Sequence, residues 1–196
     1  MTQICLVRHG ETDWNLQGLV QGSTDIPLNA RGYAQAGVAG EYLEQEHWDF
    51  LYASPLSRAY ATAAAIGERI GISTIHTEPL LQERHFGQAE GMEVVLRKEF
   101  FRGKTIPGAE TWEAVQARGL EIIEQLALRH PGARILVVTH GGFIGGLLSV
   151  ISKGEIEPGN PPLKNACMNL LSYDGAWKVE WFNYVSPKLE AVTAER

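Results

Sequence analysis

The stretch Arg134-Ile135-Leu136-Val137-Val138-Thr139-His140-Gly141-Gly142 decides the architecture. Its aliphatic centre follows the turn signal Pro131-Gly132 and ends on a histidine and paired glycines. Such a run reads as a strand buried on both faces, and the apolar residues Gly141 to Ser152 follow it as a helix. A doubly buried strand belongs to a sheet with helices on each side, so related units should recur along the chain.

They do. Gln3 to Val7 reads as a buried strand that stops on Arg8-His9-Gly10-Glu11-Thr12. Phe50 to Ala53 reads as a second strand, leading through Ser54-Pro55-Leu56 into an alanine-rich helix, Ser57 to Ile70, which Gly71 would end. A helix is expected over Ala30 to Gln45 with Asn29 as its N-cap. Ser73 to Thr77 suggests a third strand, and Glu83 to Glu110 reads as loop. The apolar stripe Trp112, Val115, Leu120, Ile123 and Leu126 predicts a helix from Thr111 to Arg129. Met168 to Tyr173 and Trp177 to Asn183 read as a hairpin turning at Asp174-Gly175. The expected fold class is therefore α/β, a mainly parallel twisted sheet with helices on both faces, in a single domain over residues 1–196.

Composition narrows the function. The chain has 196 residues, 44% hydrophobic and 20% charged, the balance of an ordinary globular protein. A net charge of -6 disfavours nucleic acid and anionic membrane as partners, because both require a basic surface. No export signal is evident at the N-terminus, and Gly141 to Ile151 is too short to span a bilayer. The glycine spacing there is expected to let a helix lie close to a sheet. Cys5 and Cys167 lack metal-like spacing and read as buried, reduced thiols, which suits a cytoplasmic location.

A parallel sheet gathers the residues that follow its strands at one edge. That rule brings Arg8 and His9, Arg58, Glu83 and His140 into one crevice. Arginines argue against a metal there, since permanent cations repel a dication without ligating it. They suit phosphate, which accepts forked hydrogen bonds from guanidinium groups and further bonds from backbone N–H at glycines such as Gly10, Gly141 and Gly142. A neutral histidine in such a pocket can attack phosphorus. Arg8, Arg58 and a protonated His140 would stabilise the charge on the transferring group. Glu83 would give a proton to the leaving alkoxide and later take one from water, a role favoured by a carboxyl that holds its proton beside a phosphate dianion.

At these residues the sequence resembles the histidine phosphatase superfamily, in its cofactor-dependent phosphoglycerate mutase-like branch. The resemblance runs through LVRHGETDWN (6–15), STDIPLNARG (23–32), SPLSRAYATA (54–63), LQERHFGQAEG (81–91), PGAET (107–111) and VVTHGG (137–142). It implies a phosphoglycerate mutase-like fold and no metal. It also implies His9 as nucleophile, Arg8, Arg58 and His140 as phosphate-pocket partners, and Glu83 as proton donor. Asn15, Gln21 and Gly22 match pocket-lining positions, and Gly141 falls beside them.

Within that branch Glu83-Arg84-His85-Phe86-Gly87 resembles the mutase acid loop, although a tyrosine usually replaces Phe86. The segment between Gly87 and Pro107 is short and lacks the adjacent arginine pair with which mutases clamp a carboxylate. PGAET resembles the PGGES element of the phosphatases, and the tail after Tyr184 is short. An open pocket lets water reach a phosphohistidine, so the expectation is a phosphomonoester hydrolase with a short cap after the acid loop, acting on a small molecule without a cofactor. The alternatives are a phosphoglycerate mutase, which would use 2,3-bisphosphoglycerate, and a non-catalytic phospholigand-binding module. His47, His76 and His130 read as surface or loop residues. His85 could be structural or touch substrate, and Arg97, Lys98, Arg102 and Lys104 read as a solvated basic face.

Overall fold

The computed structural model describes residues 1–102 and 104–194. Its six strands are β1 (Thr2–Arg8), β2 (Phe50–Ala53), β3 (Ile75–Thr77), β4 (Arg134–Thr139), β5 (Met168–Tyr173) and β6 (Trp177–Tyr184), in the spatial order β3-β2-β4-β1-β5-β6. The first four in that order are mutually parallel, and β5 and β6 add an antiparallel edge. The strand opened on above, β4, lies inside the sheet between β2 and β1.

Alternation along the strands divides the core. Ile4, Leu6, Ile135 and Val137 face one way, against the helices Trp112–Arg129 and Gly141–Ile151. Cys5, Val7, Leu136 and Val138 face the other, against Ala30–Leu43 and Ser57–Ile70. Each wholly buried aliphatic side chain contributes about 1.5–3 kcal/mol, so both faces of β1 and β4 anchor the fold. Both cysteines are buried free thiols, and burial pushes Cys5 up to about 12 and Cys167 up to about 11.

In chain order the helices are α1 (Asp13–Leu16), α2 (Ala30–Leu43), α3 (Ser57–Ile70), α4 (Val94–Phe100), α5 (Trp112–Arg129), α6 (Gly141–Ile151) and α7 (Pro187–Ala194). Asn29 caps α2 through its side chain and Gly71 ends α3 in the left-handed conformation, as the sequence signals predict, while Thr111, expected as the first residue of its helix, is the N-cap of α5. The third strand is shorter than expected, beginning at Ile75, and α4 occupies part of the expected loop. At one glycine of α6 the neighbour differs from the sheet that was expected. A Cβ on Gly146 would come within 2.9 Å of Val115 on α5, so at this position the close approach is helix to helix.

One glycine pair fixes the loop after β1. A Cβ on Gly10 would meet the Gly32 carbonyl oxygen at 2.3 Å, and one on Gly32 would meet the Glu11 carbonyl oxygen at 2.1 Å. Only two bare backbones can pass this closely, and the loop is thereby pressed onto the start of α2.

Candidate active site

The parallel register aligns the carboxyl ends of β1, β4 and β2. Arg8 pairs with Thr139, and Val138 pairs with both Val7 and Ala53. The next residues continue the ladder: the His9 N–H donates to the Thr139 carbonyl at 2.9 Å, and the Ser54 N–H to the Val138 carbonyl at 2.9 Å. His9, Ser54 and His140 therefore emerge side by side, although they are far apart in sequence.

His9 is held as a neutral imidazole. Its Nδ1 lies 2.7 Å from the Gly10 carbonyl, which can only accept, so the ring proton resides on Nδ1 and Nε2 carries the lone pair. Burial, then the charges of Arg58 and Arg8, push its pKa well below 6.5. The backbone around it is braced by donors from Asn165 and Ala166 to the His9 carbonyl, each at 3.2 Å. The Gly10 N–H donates to the Thr62 hydroxyl at 3.0 Å, which ties the loop to α3.

Two guanidinium groups flank this imidazole. Arg58 is wholly buried and donates to the carbonyls of Thr24 and Gly22 at 2.9 and 2.7 Å, while its Nε has no partner. Arg8 donates to the Leu163 carbonyl, and its buried Nε also lacks a partner. A Cβ on Gly141 would stand 3.2 Å from that Nε, so the bare first residue of α6 lets Arg8 sit against it. Arg58 approaches Asp25 only at 3.9 Å, and among the described residues no carboxylate forms an ion pair with Arg8. Two buried cations with spare donors define a site for an anion of high charge.

Glu83 lies across from them. Its carboxylate accepts from the N–H groups of Arg84, Gly142 and Phe143 at 2.8, 2.9 and 2.8 Å, so it caps the start of α6. A cavity of about 220 Å³ lies over these groups. Arg8, His9, Arg58, Glu83 and Gly141 line it together with Asn15, Gln21 and Gly22.

His140 departs from expectation. It is fully buried and does not line this cavity; its ring centroid is 5.2 Å from that of His9, and its Nε2 is 2.8 Å from the Ser54 hydroxyl. Burial, then Arg58, His9 and Arg8, push its pKa well below 6.5, so the expected imidazolium is corrected to a neutral ring. The other ring nitrogen, Nδ1, has no partner among the described residues. His85 turns away, its Nδ1 bonded to the Gly108 carbonyl at 2.8 Å. Among the described residues no group of three His, Cys, Asp or Glu side chains gathers to hold a metal ion.

Sequence reasoning passed over Glu90. This partly buried carboxylate accepts from the Ser23 N–H (3.0 Å), the Thr24 N–H (3.0 Å), the Thr24 hydroxyl (2.6 Å) and the Phe86 N–H (3.0 Å). Burial opposes its ionisation, yet the bonds from Thr24, Ser23 and Phe86 hold its pKa below the ordinary value. Glu90 thus ties the acid loop to the segment whose carbonyls seat Arg58. Glu90→Gln has one acceptor oxygen in place of two and is expected to destabilise the protein by about 1–3 kcal/mol. It should also weaken inhibition by inorganic phosphate severalfold. Thermal unfolding and inhibition constants check this, and lower stability with unchanged phosphate affinity would confine Glu90 to scaffolding.

Comparison with known proteins places this geometry in context. The model of the histidine phosphatase superfamily (branch 1) matches residues 4–184. The uncharacterized phosphatase PhoE of Bacillus subtilis (strain 168) is 39% identical over 184 residues, covering 93% of this chain and 95% of that protein. The metal-independent phosphoserine phosphatase of Arabidopsis thaliana is 33% identical over 200 residues, covering 95% and 83%. The solved structure of a mycobacterial glucosyl-3-phosphoglycerate phosphatase superposes with a TM-score of 0.84 at 27% identity, covering 93% of this chain and 99% of that one. With sequence and fold in agreement over nearly its whole length, the chain belongs to the histidine phosphatase superfamily.

Proposed function

We propose that the protein hydrolyses small phosphomonoesters through a phosphohistidine on His9. The observation that carries this reading is the neutral Nε2 of His9 between two buried guanidinium groups whose spare donors call for a dianion. In the first step Nε2 attacks phosphorus, the N–P bond forms and the ester P–O bond breaks. Arg8 and Arg58 hold the equatorial oxygens. Glu83 gives its proton to the leaving alkoxide. In the second step water attacks phosphorus, Glu83 takes its proton, the N–P bond breaks and inorganic phosphate leaves. To reach the ester oxygen, the Glu83 side chain rotates away from the N–H groups of Gly142 and Phe143 that hold it in this structure.

The cap supports hydrolysis over mutase chemistry. Between the acid loop and α5 it offers one seven-residue helix, α4, and α7 packs against α2 on the far side of the sheet. Water therefore has a path to the phosphohistidine. Membership of the superfamily and likeness to a phosphatase over 93% of the chain support phosphomonoester hydrolysis, and among the described residues no helix is long and apolar enough to cross a membrane.

Glu83→Gln tests the proton's route. Loss of a general acid costs about 10²–10⁴-fold, and the loss should fall on alkyl esters far more than on activated aryl esters, whose leaving groups need no proton. Equal losses for both ester types would remove Glu83 from the acid role. Efficient interconversion of 3- and 2-phosphoglycerate in the presence of 2,3-bisphosphoglycerate, with little phosphate release, would replace the hydrolase reading by the mutase one.

A further inference from the structure

We propose that Asn165 is a positioning residue: it turns the Asn15 carboxamide so that Asn15 presents its Nδ2, not its oxygen, to the phosphate in the catalytic cavity. The proposal rests on the hydrolase reading above for the identity of that anion. Asn165 stands in the turn that leads into β5 and is not among the residues lining the cavity. Asn15 is.

The backbone sets Asn165 beside His9. Beyond the last paired residues of β1 and β5, the Arg8 N–H donates to the Cys167 carbonyl at 3.0 Å, and the Ala166 N–H to the His9 carbonyl at 3.2 Å. Ala166 is fully buried at a φ of 54°, a left-handed conformation that is costly for a residue with a Cβ. The turn made there brings the Asn165 side chain against the same His9 carbonyl.

Each amide is oriented by the one before it. A backbone carbonyl can only accept, so the Asn165 atom 3.2 Å from the His9 oxygen is the NH2. The same NH2 donates its other hydrogen to Asn15 at 3.1 Å, so the atom it meets is Oδ1. Thr12 agrees: its N–H donates to Asn15 Oδ1 at 3.2 Å, and its hydroxyl, which accepts from the Asn15 N–H, gives its hydrogen to that oxygen at 3.2 Å. The Thr12 hydroxyl could reverse and accept from a flipped amide, whereas the NH2 of Asn165, committed to His9, cannot. With the oxygen end fixed, the NH2 end of Asn15 is left for the cavity, and among the described residues no group accepts from it. The His9 carbonyl thus dictates, through Asn165, that a donor and not a lone pair faces the phosphate.

A double-mutant cycle on the dissociation constant of inorganic phosphate, measured by calorimetry, tests this. Asn15→Ala should weaken phosphate binding by about tenfold or more, as expected for loss of a hydrogen bond to a charged group. Asn165→Ala should weaken it by about tenfold in the wild-type background but by less than about threefold in Asn15→Ala, where no amide is left to orient. The kcat/KM for phenyl phosphate should follow the same pattern. A loss below about threefold in the wild-type background, or a similar loss in both backgrounds, would overturn the proposal and leave Asn165 as a brace of the turn alone. If Asn165→Ala shows no cooperative unfolding transition, Asn165→Ser, too short to reach both oxygens, carries the same cycle. Failure of the hydrolase reading has a separate signature: the wild type would release no phosphate from phenyl phosphate or from alkyl esters, while the phosphate constants still decide the coupling of Asn165 to Asn15.

Discussion

His9→Ala should lower kcat by about 10⁴-fold or more for every phosphomonoester the wild type hydrolyses. In the proposed mechanism the imidazole Nε2 is the nucleophile: its partner nitrogen is committed to the Gly10 carbonyl, and burial with the two nearby arginines keeps the ring unprotonated through the neutral range. His140 cannot take over, because its Nε2 is bonded to Ser54 and it lies beneath the cavity. Arg8 and Arg58 remain in the variant, so inorganic phosphate should still inhibit within severalfold of its wild-type constant. Chemistry and anion binding are thereby separated. Acid-stable protein labelling differs from the acid-labile, base-stable phosphohistidine expected here, so quenching under alkaline conditions after mixing with a radiolabelled ester should trap label on the wild type and none on His9→Ala. Retention of more than about a hundredth of wild-type kcat would point to direct attack by water on the substrate.

The sequence was most legible where one physical cause acts alone. The continuous aliphatic run of β4 admits only a doubly covered strand, and Asn29 and Gly71 mark helix ends through local hydrogen bonding and a left-handed backbone. From the strand ends, the sheet-edge rule led to Arg8, His9, Arg58 and Glu83, which the structure gathers around one cavity. Legibility failed where the cause is a tertiary one. Helix α4 buries none of its residues and exposes Val95, Leu96 and Phe100, so its apolar positions carry no inward-facing stripe. Arg97 stood in a charge run, and its seat on Phe86 depends on a loop fold that no local pattern specifies. The seating of Arg8 by the Leu163 carbonyl, and of Arg58 by those of Gly22 and Thr24, uses backbone oxygens that every residue possesses. Likewise the neutral state of His140 follows from its complete burial beside two arginines, which the motif VVTHGG does not reveal.

Replacing Arg58 should have the next largest effect, and for a reason that separates it from an ordinary surface cation. Its side chain is wholly buried, and two of its nitrogens hold the Gly22 and Thr24 carbonyls. The same planar group that fixes this loop presents its remaining donors to the phosphate, so position and charge are supplied together. Arg58→Ala should lower kcat/KM by about 10³–10⁵-fold, as expected for an arginine that neutralises a transferring phosphoryl group. It also leaves two carbonyls unpaired, at a cost of about 1–3 kcal/mol for each if water does not reach them. Because that variant can lose activity through misfolding, Arg58→Lys carries the sharper test. Lysine keeps the positive charge but is a single ammonium on a flexible stem, unable to span both carbonyls and a phosphate at once. A folded Arg58→Lys protein, verified by thermal unfolding, should still lose about 10²-fold or more in kcat/KM and bind vanadate more weakly. Near-wild-type activity in Arg58→Lys would mean that charge alone suffices and that the forked geometry seen here is structural. A deep loss with the fold intact would locate the requirement in the guanidinium's shape, which holds the Gly22–Thr24 segment and the phosphate in one plane of donors.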